Sequence, residues 1–114
     1  MFSENNGSIS VSVVCHGHAD LIPALVEQLL SFQQIKEIII TRNTEDDCFV
    51  FENSRVIIIS NDEPCGFGEN HNNAFRCSSS NLFCVLNPDI TFIENPFADL
   101  ISTLIDSRVG MVAP

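Results

Sequence analysis

A chain of 114 residues with 45% hydrophobic content and nine Phe is long enough for one globular core, so residues 1–114 are read as a single domain. Fifteen acidic residues against five Lys and Arg give a net charge of −10, which excludes non-specific nucleic-acid binding, because that depends on basic side chains neutralising phosphates. The polar start "MFSENNGSIS" has neither the basic nor the apolar region of a secretory signal, and runs such as "VIIIS" are too short to span a bilayer; a cytoplasmic protein with no membrane span is expected.

The apolar runs alternate with helical stretches along the chain. "SISVSVVC" (residues 8–15) is a first strand dense in β-branched residues. "ADLIPALVEQLLSF" (19–32) follows as a helix, with Leu21, Leu25, Leu29 and Phe32 on one face. Asp20 is expected to cap it, and Pro23 fits within its first turn. "KEIIIT" (36–41) is a second strand whose Ile run implies burial on both faces, and "RVIIIS" (55–60) is a third by the same logic. The acidic segment between them (42–54) is a loop with a short strand at 48–51. A glycine-punctuated loop then leads into a helix over 69–77. "NLFCVL" (81–86) is the fourth strand, and "NPFADLISTLIDS" (95–107) a helix with Asn95 as cap and Pro96 at its first position. "RVGMVAP" (108–114) reads as a fifth strand. The pattern predicts an α/β domain, a mostly parallel, Rossmann-like sheet with helices on both faces and the first and fourth strands as neighbours.

Such sheets bind ligands outside the carboxyl ends of their strands, where the strand order reverses. Two strand ends here carry unusual chemistry. In "FCVLNPDI" (83–90) the proline fixes its own φ and holds Asn87 extended, so Asp89 projects in a defined direction. A lone carboxylate suits a hard cation that keeps its waters and takes further oxygens from phosphates, but Asn, Pro and Asp are equally the residues of a plain polar turn. In "CHGH" (15–18) a Cys and two His invite comparison with zinc sites, yet no second close ligand pair follows. Histidines lining a phosphate or sugar pocket are the better reading. The five cysteines, Cys15, Cys48, Cys65, Cys77 and Cys84, contain no C-x-x-C pair and read as reduced packing thiols. "GFGENHN" (66–72) fails as a dinucleotide fingerprint, because His71 stands where the third glycine belongs and the loop follows the third strand. Gly66 and Gly68 still permit close backbone approach ahead of a helix N-terminus.

Taken together, "ISVSVVCHGH", "GFGENHNNAF", "FCVLNPDI" and "VGMVAP" resemble the nucleotide-sugar glycosyltransferases of family 2, in their rhamnosyltransferase-like branch with the GT-A fold. The resemblance spans residues 9–114 and rests on the G-F-G-x-x-x-N loop and the L-N-P-D strand end. It implies a domain that binds a UDP- or dTDP-linked sugar in cell-surface polysaccharide synthesis, with Asp89 holding Mg²⁺ or Mn²⁺ on the donor diphosphate. His16, His18, Arg42, Gly66, Phe67, Gly68, Asn72 and Asn87 would line the donor site.

The departures are informative. His16-Gly17 stands where many members have Tyr-Asn, and Arg42-Asn43-Thr44 where they have Asp-Asn-x-Ser, which leaves the identity of the base open. Arg42 is expected to cap the loop or to help neutralise a diphosphate. The family's general base falls in its second half, so no catalytic residue is expected before Pro114, and an uncovered sheet edge near 109–113 is expected to promote self-association. Two other readings stand beside this one: a non-catalytic nucleotide- or partner-binding module, and a structural α/β domain whose Asn-Pro-Asp is only a turn.

Overall fold

The computed structural model describes residues 8–44 and 51–105. Four strands, β1 (Ile9–Cys15), β2 (Ile35–Arg42), β3 (Val56–Ser60) and β4 (Leu82–Leu86), form one sheet in the order β3-β2-β1-β4. All three pairings are parallel. The helices are α1 (Ile22–Leu30), α2 (Phe67–Cys77) and α3 (Phe97–Ile105). The α/β fold and the adjacency of the first and fourth strands are as the sequence predicts.

Side-chain alternation on β1 assigns the helices to faces. Ile9, Val11, Val13 and Cys15 share one buried cluster with Ile22, Leu25, Val26 and Leu29 of α1 and with Phe97 and Ile101 of α3. The alternate residues Ser10 and Ser12 point the other way, where Ser12 bonds His71 of α2. Helices therefore cover both faces, α1 and α3 on one and α2 on the other. Strand order reverses between β1 and β4, since β1 leads out to β2 and β3 while α2 carries the chain back across to β4. That gap is the switch point.

The central position of β2 explains its Ile run: Ile38, Ile39 and Ile40 are fully buried from both sides. Its near-twin β3 is only half-buried, because it forms an edge of the sheet; the expectation of two-sided burial there is corrected. Asp20 likewise does not cap α1. A 3-10 turn over Ala19–Leu21 precedes that helix, Leu21 occupies its cap position, and no side chain bonds the helix end. Pro23 does fall in the first turn. Asn95 caps α3 as expected, its Oδ1 accepting the Phe97 N–H at 2.9 Å, and the Leu100 N–H bonds the Pro96 carbonyl at 3.1 Å. α2 begins two residues earlier than its sequence reading, at Phe67. Of the expected strand at 48–51, residues 48–50 lie outside the described residues and Phe51 is not in a strand; the expected fifth strand at 108–114 also lies outside the described residues. Among the described residues, no helix is long and apolar enough to cross a membrane.

The alternation of Ser with Val and Ile in β1 would suit a strand with one wet face, yet Ser10 and Ser12 are fully buried. Their hydroxyls are satisfied within the sheet–α2 layer. The register skips Lys36 between the Ile9 and Ser10 pairings, which sets Glu37 opposite Ser10. The Ser10 hydroxyl donates to Glu37 Oε2 at 2.5 Å. Glu37 also accepts from the Ser79 N–H and hydroxyl, at 2.6 and 3.1 Å.

Candidate functional site

The residue that follows each strand is polar: His16 after β1, Asn43 after β2, Asn61 after β3 and Asn87 after β4. Parallel pairing brings all four to the carboxyl edge of the sheet. A cleft of about 320 Å³ opens there, lined by His16, His18, Asn43, Cys65, Phe67, Asn70, His71 and Asn87 among others. It lies at the switch point, between the exits of β1 and β4 and the start of α2.

An amide network forms its floor. Asn43 Oδ1 accepts the Cys65 N–H at 2.8 Å, and Asn43 Nδ2 donates to the Cys65 carbonyl at 3.0 Å. This pair of hydrogen bonds to the backbone of one residue clamps the β3–α2 loop to the end of β2. Asn61 Nδ2 donates to Asn43 Oδ1 at 2.9 Å and to Asn70 Oδ1 at 2.7 Å, and Asn70 Nδ2 returns to the Cys65 carbonyl at 3.2 Å. Asn43 is 5% exposed and Asn70 1%, so these groups would be costly to bury unpaired. Asn43 Nδ2 also reaches His16 Nδ1 at 3.0 Å.

His16 and His18 flank Gly17, whose φ of +79° is the left-handed conformation that glycine adopts without strain. The turn lets the His16 N–H approach His18 Nδ1 at 3.4 Å. On the far wall His71 is 6% exposed, its Nδ1 is 2.8 Å from the Ser12 hydroxyl, and its ring meets Phe67 edge-on at 4.4 Å. Burial pushes the His71 imidazole below its ordinary value of 6.5. Below that pH the unfolded chain binds the proton that native His71 resists, so stability falls on acidification and is regained above about 6.5. Urea unfolding across a pH series is expected to show this acid slope, and His71→Asn, which retains an amide for Ser12, should flatten it. An identical slope in both proteins would exclude His71 as its source.

The first turn of α2 has no side-chain cap, and its first intrahelical bond runs from the Asn70 N–H to the Gly66 carbonyl at 3.0 Å. The N–H groups of residues 67–69 are therefore not used within the helix. Acidic groups stand beside them. Desolvation first, then Glu69 and Glu63, push the Cys65 thiol above its ordinary range, and those two carboxylates make the rim electronegative.

Of the residues named from the sequence, His16, His18, Phe67 and Asn87 meet in this cleft. Gly66 is the cap residue of α2, and Gly68 and Asn72 lie exposed on that helix. Arg42 ends β2 opposite Cys15. Asp89 lies in a turn closed by the Ile90 N–H on the Asn87 carbonyl at 3.3 Å, and it is exposed. It borders a second, largely apolar groove of about 810 Å³ between β4 and α3 rather than the cleft itself; Phe67 and Asn87 line both. Among the described residues no group of three or more His, Cys, Asp and Glu is placed to hold a metal. A single exposed carboxylate suits a cation that arrives with a diphosphate, not a resident ion.

Asn43, Asn61, Asn70 and His71 are the site residues that sequence reasoning passed over. The recurrence of Asn directly after an apolar strand, in "TRN", "ISN" and "VLN", was the available signal. No protein-family model matches the chain, and no curated protein matches its sequence.

Proposed function

We propose that this domain binds the nucleotide-sugar donor of a glycosyltransferase of the family 2 type, which passes the sugar to an acceptor in cell-surface polysaccharide synthesis. The observation that carries the proposal is the convergence of His16 and Asn87, from the two strands that flank the switch point, on one cleft with the start of α2. The Asn-Pro-Asp turn supports it through Asn87 and Pro88, which line the cleft, with Asp89 next along the turn on the neighbouring groove. Phe67, 64% exposed, offers a face to a base or sugar. A divalent cation, Mg²⁺ or Mn²⁺, would neutralise the diphosphate charge that the electronegative rim opposes, with Asp89 as its protein ligand. The residues of this chain bind and orient the donor; none is assigned as the general base.

Titration calorimetry with UDP- and dTDP-sugars, with and without Mg²⁺ or Mn²⁺, tests the reading. Binding that requires the metal is expected. Asp89→Asn should abolish it, because a neutral amide loses most of its attraction for a hard dication. Stability should shift by no more than about 0.5 kcal/mol, as for other exposed positions. Affinity that survives the substitution would move the metal elsewhere, to Asp62 first. Absence of any nucleotide binding would favour a structural α/β domain.

A further inference from the structure

We infer that Asn43 is a positioning residue that locks His16 in the neutral Nε2–H tautomer, so that the exit of β1 presents N–H donors to an acceptor oxygen of the ligand. The Cys65 backbone N–H can only donate and its carbonyl only accept, and both bond the Asn43 carboxamide, at 2.8 and 3.0 Å. Their positions fix which end of that carboxamide is oxygen and which is nitrogen. The nitrogen has one further hydrogen, and at 3.0 Å it faces His16 Nδ1. That ring nitrogen must therefore accept, and in a neutral imidazole the proton then sits on Nε2.

The neighbouring ring follows the same logic. His18 Nδ1 faces the His16 backbone N–H at 3.4 Å, a donor by necessity, so His18 is also biased to Nε2–H. Gly17 makes this second contact accessible through its positive φ. Both rings line the cleft whose far wall is the start of α2, where the N–H groups of residues 67–69 lack helical partners. Donors thus gather around one cavity, and a hydrogen-bond-accepting oxygen is the complementary group. The arrangement also opposes zinc at "CHGH". The Nδ1 lone pair of His16 is engaged by Asn43, and Nε2 carries a proton, so neither nitrogen is available as a ligand.

The tautomer does not depend on the nucleotide-sugar reading, whereas the ligand assignment rests on it, and the experiment keeps the two apart. Long-range ¹H–¹⁵N correlation spectra of the uniformly labelled wild-type protein, recorded above the ordinary histidine titration range, report the tautomer of each ring directly. His16 is expected as Nε2–H; a resonance pattern of Nδ1–H would overturn the inference without any variant. In Asn43→Asp the group facing Nδ1 becomes an acceptor, so His16 should switch to Nδ1–H, and an unchanged tautomer in folded N43D would equally overturn it. Should N43D fail to fold, the wild-type spectrum alone decides. UDP, uridine and inorganic pyrophosphate are the binding probes. Weaker UDP binding to N43D, by about tenfold, is expected from the lost donor together with repulsion by the new carboxylate, and equal UDP affinity would remove the positioning role. An N43D effect on uncharged uridine places the acceptor oxygen on the nucleoside, and one on pyrophosphate that survives raised salt, which screens the carboxylate, places it on the diphosphate. If wild-type protein binds none of the three, the donor-binding reading and this ligand assignment both fall, while the tautomer result stands.

Discussion

Phe97→Ala is expected to cost about 3–5 kcal/mol, the range for truncating a fully buried aromatic ring. Phe97 is 1% exposed and opens α3, where it meets Phe32 at 5.8 Å and Phe92 at 5.7 Å between ring centroids; Phe32 and Phe92 stand edge-on at 5.5 Å. These three rings join the end of α1, the loop after β4 and the start of α3 over the face that carries Val11 and Val13. Truncation removes the ring shared by two of the three contacts and leaves a void that the Pro96-initiated backbone cannot easily fill. Small domains hold about 5–15 kcal/mol in total, so the variant should unfold at a much lower urea concentration. Phe67→Ala is the control: that ring is 64% exposed, and its loss should bear on ligand binding more than on stability. A Phe97→Ala cost under about 1 kcal/mol would mean that α3 does not pack against the sheet as described.

Elements were legible wherever one local rule governed them. The Ile run of β2 announced two-sided burial because only a central strand can hide Ile38, Ile39 and Ile40 at once. Asn95 and Pro96 announced the start of α3 because capping is a matter of neighbouring residues. β3 has the same Ile run and a different fate, since its edge position depends on strand order, which no local rule encodes. The first helix misled for a related reason. A 3-10 turn intervenes before α1, and Asp20 spends itself there without reaching the helix end.

The site was half legible. His16 and Asn87 could be named because the switch-point rule points to strand exits, and the cleft does form between theirs. The amide network could not, because its bonds span 18 residues from Asn43 to Asn61 and 27 from His16 to Asn43. In the sequence His71 stands out as a missing glycine, not as a cleft residue. Its pairing with Ser12 crosses 59 residues and depends on α2 lying over the face that Ser10 and Ser12 share. The serines of β1 serve as anchors for the buried Glu37 and His71 from elsewhere in the chain.

Glu37 is the strongest instance of such anchoring, and Glu37→Ala is expected to cost about 2 kcal/mol at neutral pH, because it strips the acceptor from the fully buried Ser10 hydroxyl and from two donors of the exposed Ser79. Three donors lose their partner at once: the Ser10 hydroxyl, fully buried, and the N–H and hydroxyl of Ser79. The last two hold the α2–β4 connection against the start of β2, at the end of the sheet opposite the cleft. Burial alone would raise the carboxyl, but the bonds from Ser10 and Ser79, with the charge of Lys36 behind them, outweigh it and hold Glu37 below its ordinary 4.5. A depressed carboxylate contributes stability that is fully present above 4.5 and is lost as pH falls through the folded value. The gap between wild type and Glu37→Ala should therefore be constant at neutral pH and narrow only below 4.5, whereas the His71 effect begins at 6.5. Urea midpoints for both proteins along a pH series separate the two groups. A gap under about 1 kcal/mol at neutral pH would show that Glu37 is solvated rather than clamped, and one that stays fully open at the acid limit would show that its contribution does not depend on its charge. Glu37→Gln should fall between, since its carbonyl oxygen still accepts one bond while its amide nitrogen turns a second donor toward Ser10 or Ser79.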